Sequence, residues 1–148
     1  MFRTIQVHVV SKDSHEFLHL VLKRAQSCKL YPGMWQIVTG TVETDENALD
    51  AAKRELREET GIKSGNWYKL PFLGGFYDLR RNTVEGVPAF AVILNESIKV
   101  SLSEEHNDYK WLNINSLEDY MPIPDHIDGS ARLEKLLMNE EHLEIFKI

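Results

Sequence analysis

A chain of 148 residues, 43% hydrophobic and 27% charged, has the size and balance of one folded domain, residues 1–148, and not of a disordered segment. Its 17 Lys+Arg stand against 23 Asp+Glu, a net charge of −6 with no basic cluster, so nucleic acid is not the expected partner. A small anionic substrate stays open, provided a carboxylate-held divalent cation neutralises it.

Cys28, the single cysteine, excludes an internal disulfide and suits a reducing compartment. No apolar run approaches the ~18 residues of a membrane span. The first residues lack the layout of a signal peptide. A cytoplasmic protein without a membrane partner is therefore expected, as a monomer or homodimer.

In chain order, β-branched residues predict a strand over Phe2–Val10 and a turn at Lys12-Asp13-Ser14. A second strand follows over Phe17–Leu22, ended in solvent by Lys23-Arg24. Pro32-Gly33 breaks the chain. Trp35–Val38 reads as a short strand that Gly40 turns and Thr41-Val42 continues. The clearest helix runs over Asp45–Thr60, capped by Thr44 or Asp45 and stopped by Gly61. Trp67–Leu79, Pro88–Leu94 and Tyr109–Leu112 read as strands. Helices are expected near Ser116–Tyr120 and over Asp128–Met138, which the tail after Asn139 can extend. Strands outnumber helices without βαβ alternation, so the class is α+β with a mixed sheet.

Chemistry concentrates on the helix. Glu55, Glu58 and Glu59 stand at i, i+3 and i+4, on one face within about 100°. Leu49, Ala52 and Leu56 make the neighbouring face that buries, and Ala48 and Ala51 lie small beneath the carboxylates. Two readings fit: a solvated acidic face offset by Lys53, Arg54 and Arg57, or a hard-cation site. Mg²⁺ takes oxygen ligands and works through a few carboxylates plus substrate phosphates. A carboxylate left free at the rim can serve as general base.

The residues before the helix decide between them. Gly40, five residues, Glu46, seven residues, Arg54-Glu55-Leu56, one residue, Glu58-Glu59, one residue, then Gly61-Ile62 resembles the complete Nudix box. The resemblance implies the Nudix α/β/α sandwich and a pyrophosphohydrolase using Mg²⁺, with Mn²⁺ as the other candidate. It implies metal ligation by Glu55, Glu58, Glu59 and the carbonyl of Thr39. Gly40, Glu46, Arg54 and Gly61 take structural roles: Gly40 for a sharp turn, Glu46 with Arg54 as a bridge from loop to helix, Gly61 as a left-handed stop. The general base varies within the family.

Trp35–Glu43, together with Glu105-His106 and Tyr109–Leu112, is similar to the bacterial dihydroneopterin triphosphate pyrophosphatases, also described as dATP pyrophosphohydrolases. That similarity points to Glu105 as a further ligand or base, with Glu104 beside it. Arg24 is a candidate for phosphate, and Trp35 and Gln36 for a flat ring, although strand-end and core roles serve these three equally. Of six histidines, only His106 adjoins a candidate site. No G-x-S-x-G elbow and no P-loop occurs. The expected reaction cuts a nucleoside triphosphate or dihydroneopterin triphosphate to monophosphate and pyrophosphate. A dinucleoside tetraphosphate, for which Tyr77 is the hint, comes next, then nucleotide sugars. A nucleotide-binding module without turnover is the reading from a different class.

Overall fold

Alternation in β1 (Thr4–Ser11) sets the architecture. Ile5, Val7 and Val9 turn to one side of the sheet and join a core with Ala51, Ala52 and Leu56 of α1 (Ala48–Thr60). Val10 turns to the other, against Leu133 and Leu137 of α3 (Pro124–Leu137). Every β1 residue from Ile5 onward is buried, as the central strand of a sheet covered on both faces must be. This computed structural model describes residues 2–13 and 15–148.

The remaining strands are β2 (Leu18–Arg24), β3 (Trp35–Gln36), β4 (Val38–Thr41), β5 (Asn66–Asp78), β6 (Thr83–Leu94) and β7 (His106–Leu112). The sheet runs β3-β2-β1-β6-β5, with β4 on β1 and β7 on β2. β1 and β6 are parallel and the other pairs antiparallel. A mixed sheet with α1 on one face and α3 on the other is the α/β/α sandwich that the resemblance implied. A 3₁₀ turn (Ile114–Ser116), α2 (Leu117–Tyr120) and α4 (Glu140–Glu144) complete it. Among the described residues no helix is long and apolar enough to cross a membrane.

Several expected boundaries move, each for a physical reason. α1 starts at Ala48 and not Asp45, because Asp45 is left-handed (φ 64°) and Asn47 caps, accepting the Asp50 amide. Gly40 turns nothing: it lies within β4, paired with Ile5. The chain passes from β2 to β1 at Ile37, which divides the expected Trp35–Val38 strand. β6 starts at Thr83 and not Pro88, since the β5–β6 hairpin pairs Gly86 with Gly75 and Glu85 with Phe76. β7 starts at His106 and not Tyr109, where it meets the end of β2. α3 starts four residues early, at Pro124, whose fixed φ suits a first turn. Asn139 caps a separate α4, so the tail does not extend α3. Of the expected Lys12–Ser14 turn, Ser14 lies outside the described residues.

Candidate active site

Both ends of α1 are fixed by its own sequence. Gly61, at φ 75°, closes it and donates its amide to the Arg57 carbonyl. Glu46 stands before the cap, in the loop, and Arg54 reaches back to it. Arg54 Nε and Nη2 donate to the two Glu46 oxygens at 2.8 and 2.9 Å. Nη2 also donates to the Thr41 carbonyl at 2.8 Å, which fastens the end of β4 to the helix. The pair bridges loop and helix as expected, and the guanidinium holds the Glu46 carboxyl down at about 2.

The same guanidinium orients the acidic face. Nη1 donates to Glu55 at 2.8 Å and to Glu58 at 3.3 Å. Gly40 has a use that spacing did not reveal. A Cβ there would collide with the Glu55 side chain, so its absence lets Glu55 lie flat on β4. Thr39 precedes it in β4, half-buried and paired with Gln6.

Glu59, next along the helix, is 4% exposed. Its Oε2 has no hydrogen-bond partner among the described residues. Glu59, Glu105 and His106 bring one ligand atom each within 4.8 Å of one another. Burial first, then the charges of Glu55 and Glu105, push the Glu59 carboxyl up to about 9 against an opposing pull from Arg24. Burial also raises Glu55, with Arg54 opposing. Glu58 is more than half exposed and stands at the rim.

Glu105 arrives from another part of the chain. Its carbonyl accepts the Ala25 amide at 2.8 Å and the Cys28 thiol at 3.4 Å, so the continuation of β2 holds the loop. The cluster takes Glu105; Glu104 is exposed and outside it. His106 is buried, and Gln36 Nε2 donates to its Nε2 at 3.1 Å. Burial, then the Arg24 charge, lowers His106 to about 4. Its Nδ1 has no partner among the described residues.

Carboxylates crowded at a buried, unpaired oxygen fit a hard divalent cation, which takes oxygen ligands and neutralises the repulsion. Among the substrate candidates, Gln36 is buried against His106, while Trp35 faces the opposite side of the sheet and Arg24 Nε donates to the Leu30 carbonyl. The roles of Gln36 and His106 escaped the sequence, which showed only that His106 adjoins Glu105. Tyr77 is not brought to the cluster. It is exposed on the β5–β6 hairpin and its hydroxyl donates to Asn82.

The family model described as NUDIX domain matches residues 2–135. The chain is 27% identical over 125 residues to the nucleoside triphosphatase NudI of Klebsiella pneumoniae, covering 80% of this chain and 86% of that one. It is 33% identical over 112 residues to the asymmetrical bis(5′-nucleosyl)-tetraphosphatase of Rattus norvegicus, covering 72% of each. Its fold is similar to that of the E. coli dihydroneopterin triphosphate pyrophosphohydrolase, with a TM-score of 0.73 at 24% identity, over 94% of this chain and 99% of that one.

Proposed function

The chain belongs to the Nudix family of hydrolases, and from that premise we propose that it cuts a nucleoside triphosphate or dihydroneopterin triphosphate to monophosphate and pyrophosphate. The observation that carries this reading is the buried Glu59 oxygen, unpaired beside Glu105, His106 and Glu55. A buried carboxyl oxygen without a hydrogen-bond partner is costly to a fold, and a cation that brings the substrate phosphates removes the cost.

In this reading Glu55, Glu59 and Glu105, with Glu58 at the rim and the Thr39 carbonyl, hold Mg²⁺ or Mn²⁺. A cation held there would supply polarisation of the phosphoanhydride and a lowered pKa for the attacking water. Arg54 fixes the angle of Glu55 and Glu58 through its Nη1. Glu58 and Glu105 are the exposed carboxylates, open to take the water's proton. Gln36 holds the His106 ring, and Arg24 supplies positive charge that acts on Glu59 and His106. Residues 1–148 act as one domain.

The likeness to the tetraphosphatase supports a second reading, in which a dinucleoside tetraphosphate is the substrate. The test is turnover with Mg²⁺ across dihydroneopterin triphosphate, dATP, other nucleoside triphosphates, diadenosine tetraphosphate and nucleotide sugars. Pyrophosphate released fastest from a triphosphate supports the first reading. Preference for the tetraphosphate replaces it with the second. A folded, metal-supplied protein that turns over none of them rejects both and favours a nucleotide-binding module.

A further inference from the structure

His106 brings a nitrogen donor to a cluster otherwise built of oxygen. It opens β7, where its amide donates to the Ser103 carbonyl at 3.3 Å and its backbone pairs with Arg24 of β2. The carbonyl just before it is pinned by the Ala25 amide. The ring therefore hangs from a fixed strand end, whereas the Glu105 side chain is exposed on the loop. His106 and Glu59 are each 4% exposed, and neither His106 Nδ1 nor Glu59 Oε2 has a hydrogen-bond partner among the described residues. A ring nitrogen lies within 4.8 Å of a carboxylate oxygen of both Glu59 and Glu105. Two ligands at about 2.1 Å from one ion stand at most roughly 4.2 Å apart, so a turn of the exposed Glu105 carboxylate closes the set.

The other buried histidines are placed differently. Both ring nitrogens of His8 are bonded, to Ser130 and Gln6, and His19 Nε2 meets Glu134. His126 Nδ1 is unpaired, yet among the described residues three such donor side chains converge only at Glu59, Glu105 and His106.

Gln36 equips His106 for either role of its ring. The amide Nε2 donates to His106 Nε2 at 3.1 Å, so the ring proton rests on Nδ1. A half-turn of that amide presents Oε1 instead. The proton then sits on Nε2, exchanged through solvent with no change of charge, and Nδ1 offers its lone pair. A histidine that ligates a metal commonly gives its other N–H to such an oxygen, which fixes the tautomer.

We propose that His106 Nδ1 is a direct ligand of the divalent cation held by Glu59 and Glu105, and that this nitrogen makes the site select a transition ion, Mn²⁺ or Co²⁺, over Mg²⁺. Imidazole suits transition ions, whereas Mg²⁺ takes oxygen and keeps its waters. The ligands that the family resemblance implies are all oxygens, so it does not predict this preference. The proposal rests on the cation-holding hydrolase reading above, and its test separates the two.

The probes are Co²⁺ and Mg²⁺, each added to protein stripped with chelator. Proton NMR and titration calorimetry read the result. Co²⁺ shifts the ring N–H of a directly bound histidine far outside the ordinary range. At one equivalent, wild type shows one such exchangeable proton and His106→Leu shows none. Calorimetry shows Co²⁺ bound at least about ten-fold more weakly by His106→Leu, while Mg²⁺ changes by less than about two-fold. Gln36→Leu removes the partner of the other ring nitrogen, and it too weakens Co²⁺ more than Mg²⁺. Melting curves in chelator confirm that each variant is folded. His106→Gln, which keeps a hydrogen-bonding end beside Gln36, serves if the leucine variant does not fold. Absence of the shifted proton from Co²⁺-loaded wild type, or equal weakening of both ions by the variants, overturns the proposal. Neither readout needs turnover. A protein that hydrolyses the substrate panel without the shifted proton keeps the hydrolase reading and loses the nitrogen ligand. One that shows the proton and hydrolyses nothing keeps the ligand and loses the activity.

Discussion

The sheet buries polar groups on both faces and treats them differently. On the α3 face, His8 lies 3.0 Å from Ser130 Oγ and 2.9 Å from Gln6 Oε1, Ser130 donates to the His126 carbonyl, and His19 meets Glu134 at 2.9 Å. The one carboxylate in that set has a histidine against it, and within the set only His19 Nδ1 and His126 Nδ1 lack partners among the described residues; Glu85 of β6, also buried and without a hydrogen bond among them, has Arg3 Nε 3.5 Å away. On the α1 face, Glu55, Glu59 and Glu105 crowd together, and Glu59 keeps an unpaired buried oxygen. Buried polar groups that serve stability are satisfied within the protein. The α1 cluster is left for something from outside to complete.

The comparison breaks most sharply at Glu59. Glu59→Gln keeps the shape of the side chain and removes its charge. Turnover with Mg²⁺ should fall roughly a hundred-fold or more, since even removing a metal ligand's supporting partner costs ten- to hundred-fold. Steady-state kinetics on the best substrate of the panel reads this directly, and near-normal turnover would mean that Glu59 only packs.

Gly40→Ala comes next. The new methyl meets the flexible end of Glu55, which can yield, so the fold should persist while Glu55 is displaced. Turnover should drop about ten- to hundred-fold with a melting temperature near that of wild type. An unchanged rate would remove Gly40 from the account of how Glu55 is placed.

Ser130→Ala probes the other face. It leaves His8 without one partner and should lower stability by about 1–3 kcal/mol, read by denaturant unfolding, with kcat untouched. A loss of activity without loss of stability would mean that the two faces are not separate in function.

The pH dependence is the gentlest probe, and the faces oppose each other. Burial lowers His126 from 6.5 to about 4, and His8 is lowered well below 6.5 by burial and its histidine neighbours. The unfolded chain then binds more protons, so stability is lost as pH falls from about 6.5 toward 4. Glu59 is raised from 4.5 to about 9, so its contribution is full below 4.5 and is lost as pH rises through 9. From pH 4.5 to 6.5 the two histidines outweigh the one carboxyl, and above 6.5 Glu59 acts alone, so metal-free protein should be most stable near pH 6.5. Replacing His126 with Gln should soften the acid flank alone, which a series of melts across pH will show.

How much of this was legible follows from distance along the chain. Glu55, Glu58 and Glu59 share one helix face, and Arg54 meets Glu46 only 8 residues back, so local periodicity and the motif found them. Gly61 was legible because a helix stop needs a left-handed residue. The Gln36–His106 contact spans 70 residues and His8–Ser130 spans 122, and nothing local encodes either pairing. Lys110 and Tyr120 reach Trp35 only because β7 and α2 return to β2 and β3. Thr44 and Asp45 offered the same capping chemistry as Asn47, so composition did not separate them. Glu85 and Gly86 obscured the start of β6, because a strand paired along a hairpin tolerates residues that an isolated pattern rejects.

The most direct test of the central claim is the melting temperature of wild type and Glu59→Gln at pH 8, in chelator and in Mg²⁺. In chelator the glutamine variant should melt at least about 5 °C higher, because at pH 8 wild type must keep a proton on the buried Glu59, raised to about 9, that the unfolded chain has lost. Mg²⁺ should raise wild type and leave the variant unmoved. Equal melting in chelator, with equal responses to Mg²⁺, would contradict the claim that the α1 face is a carboxylate cluster kept unpaired for a cation.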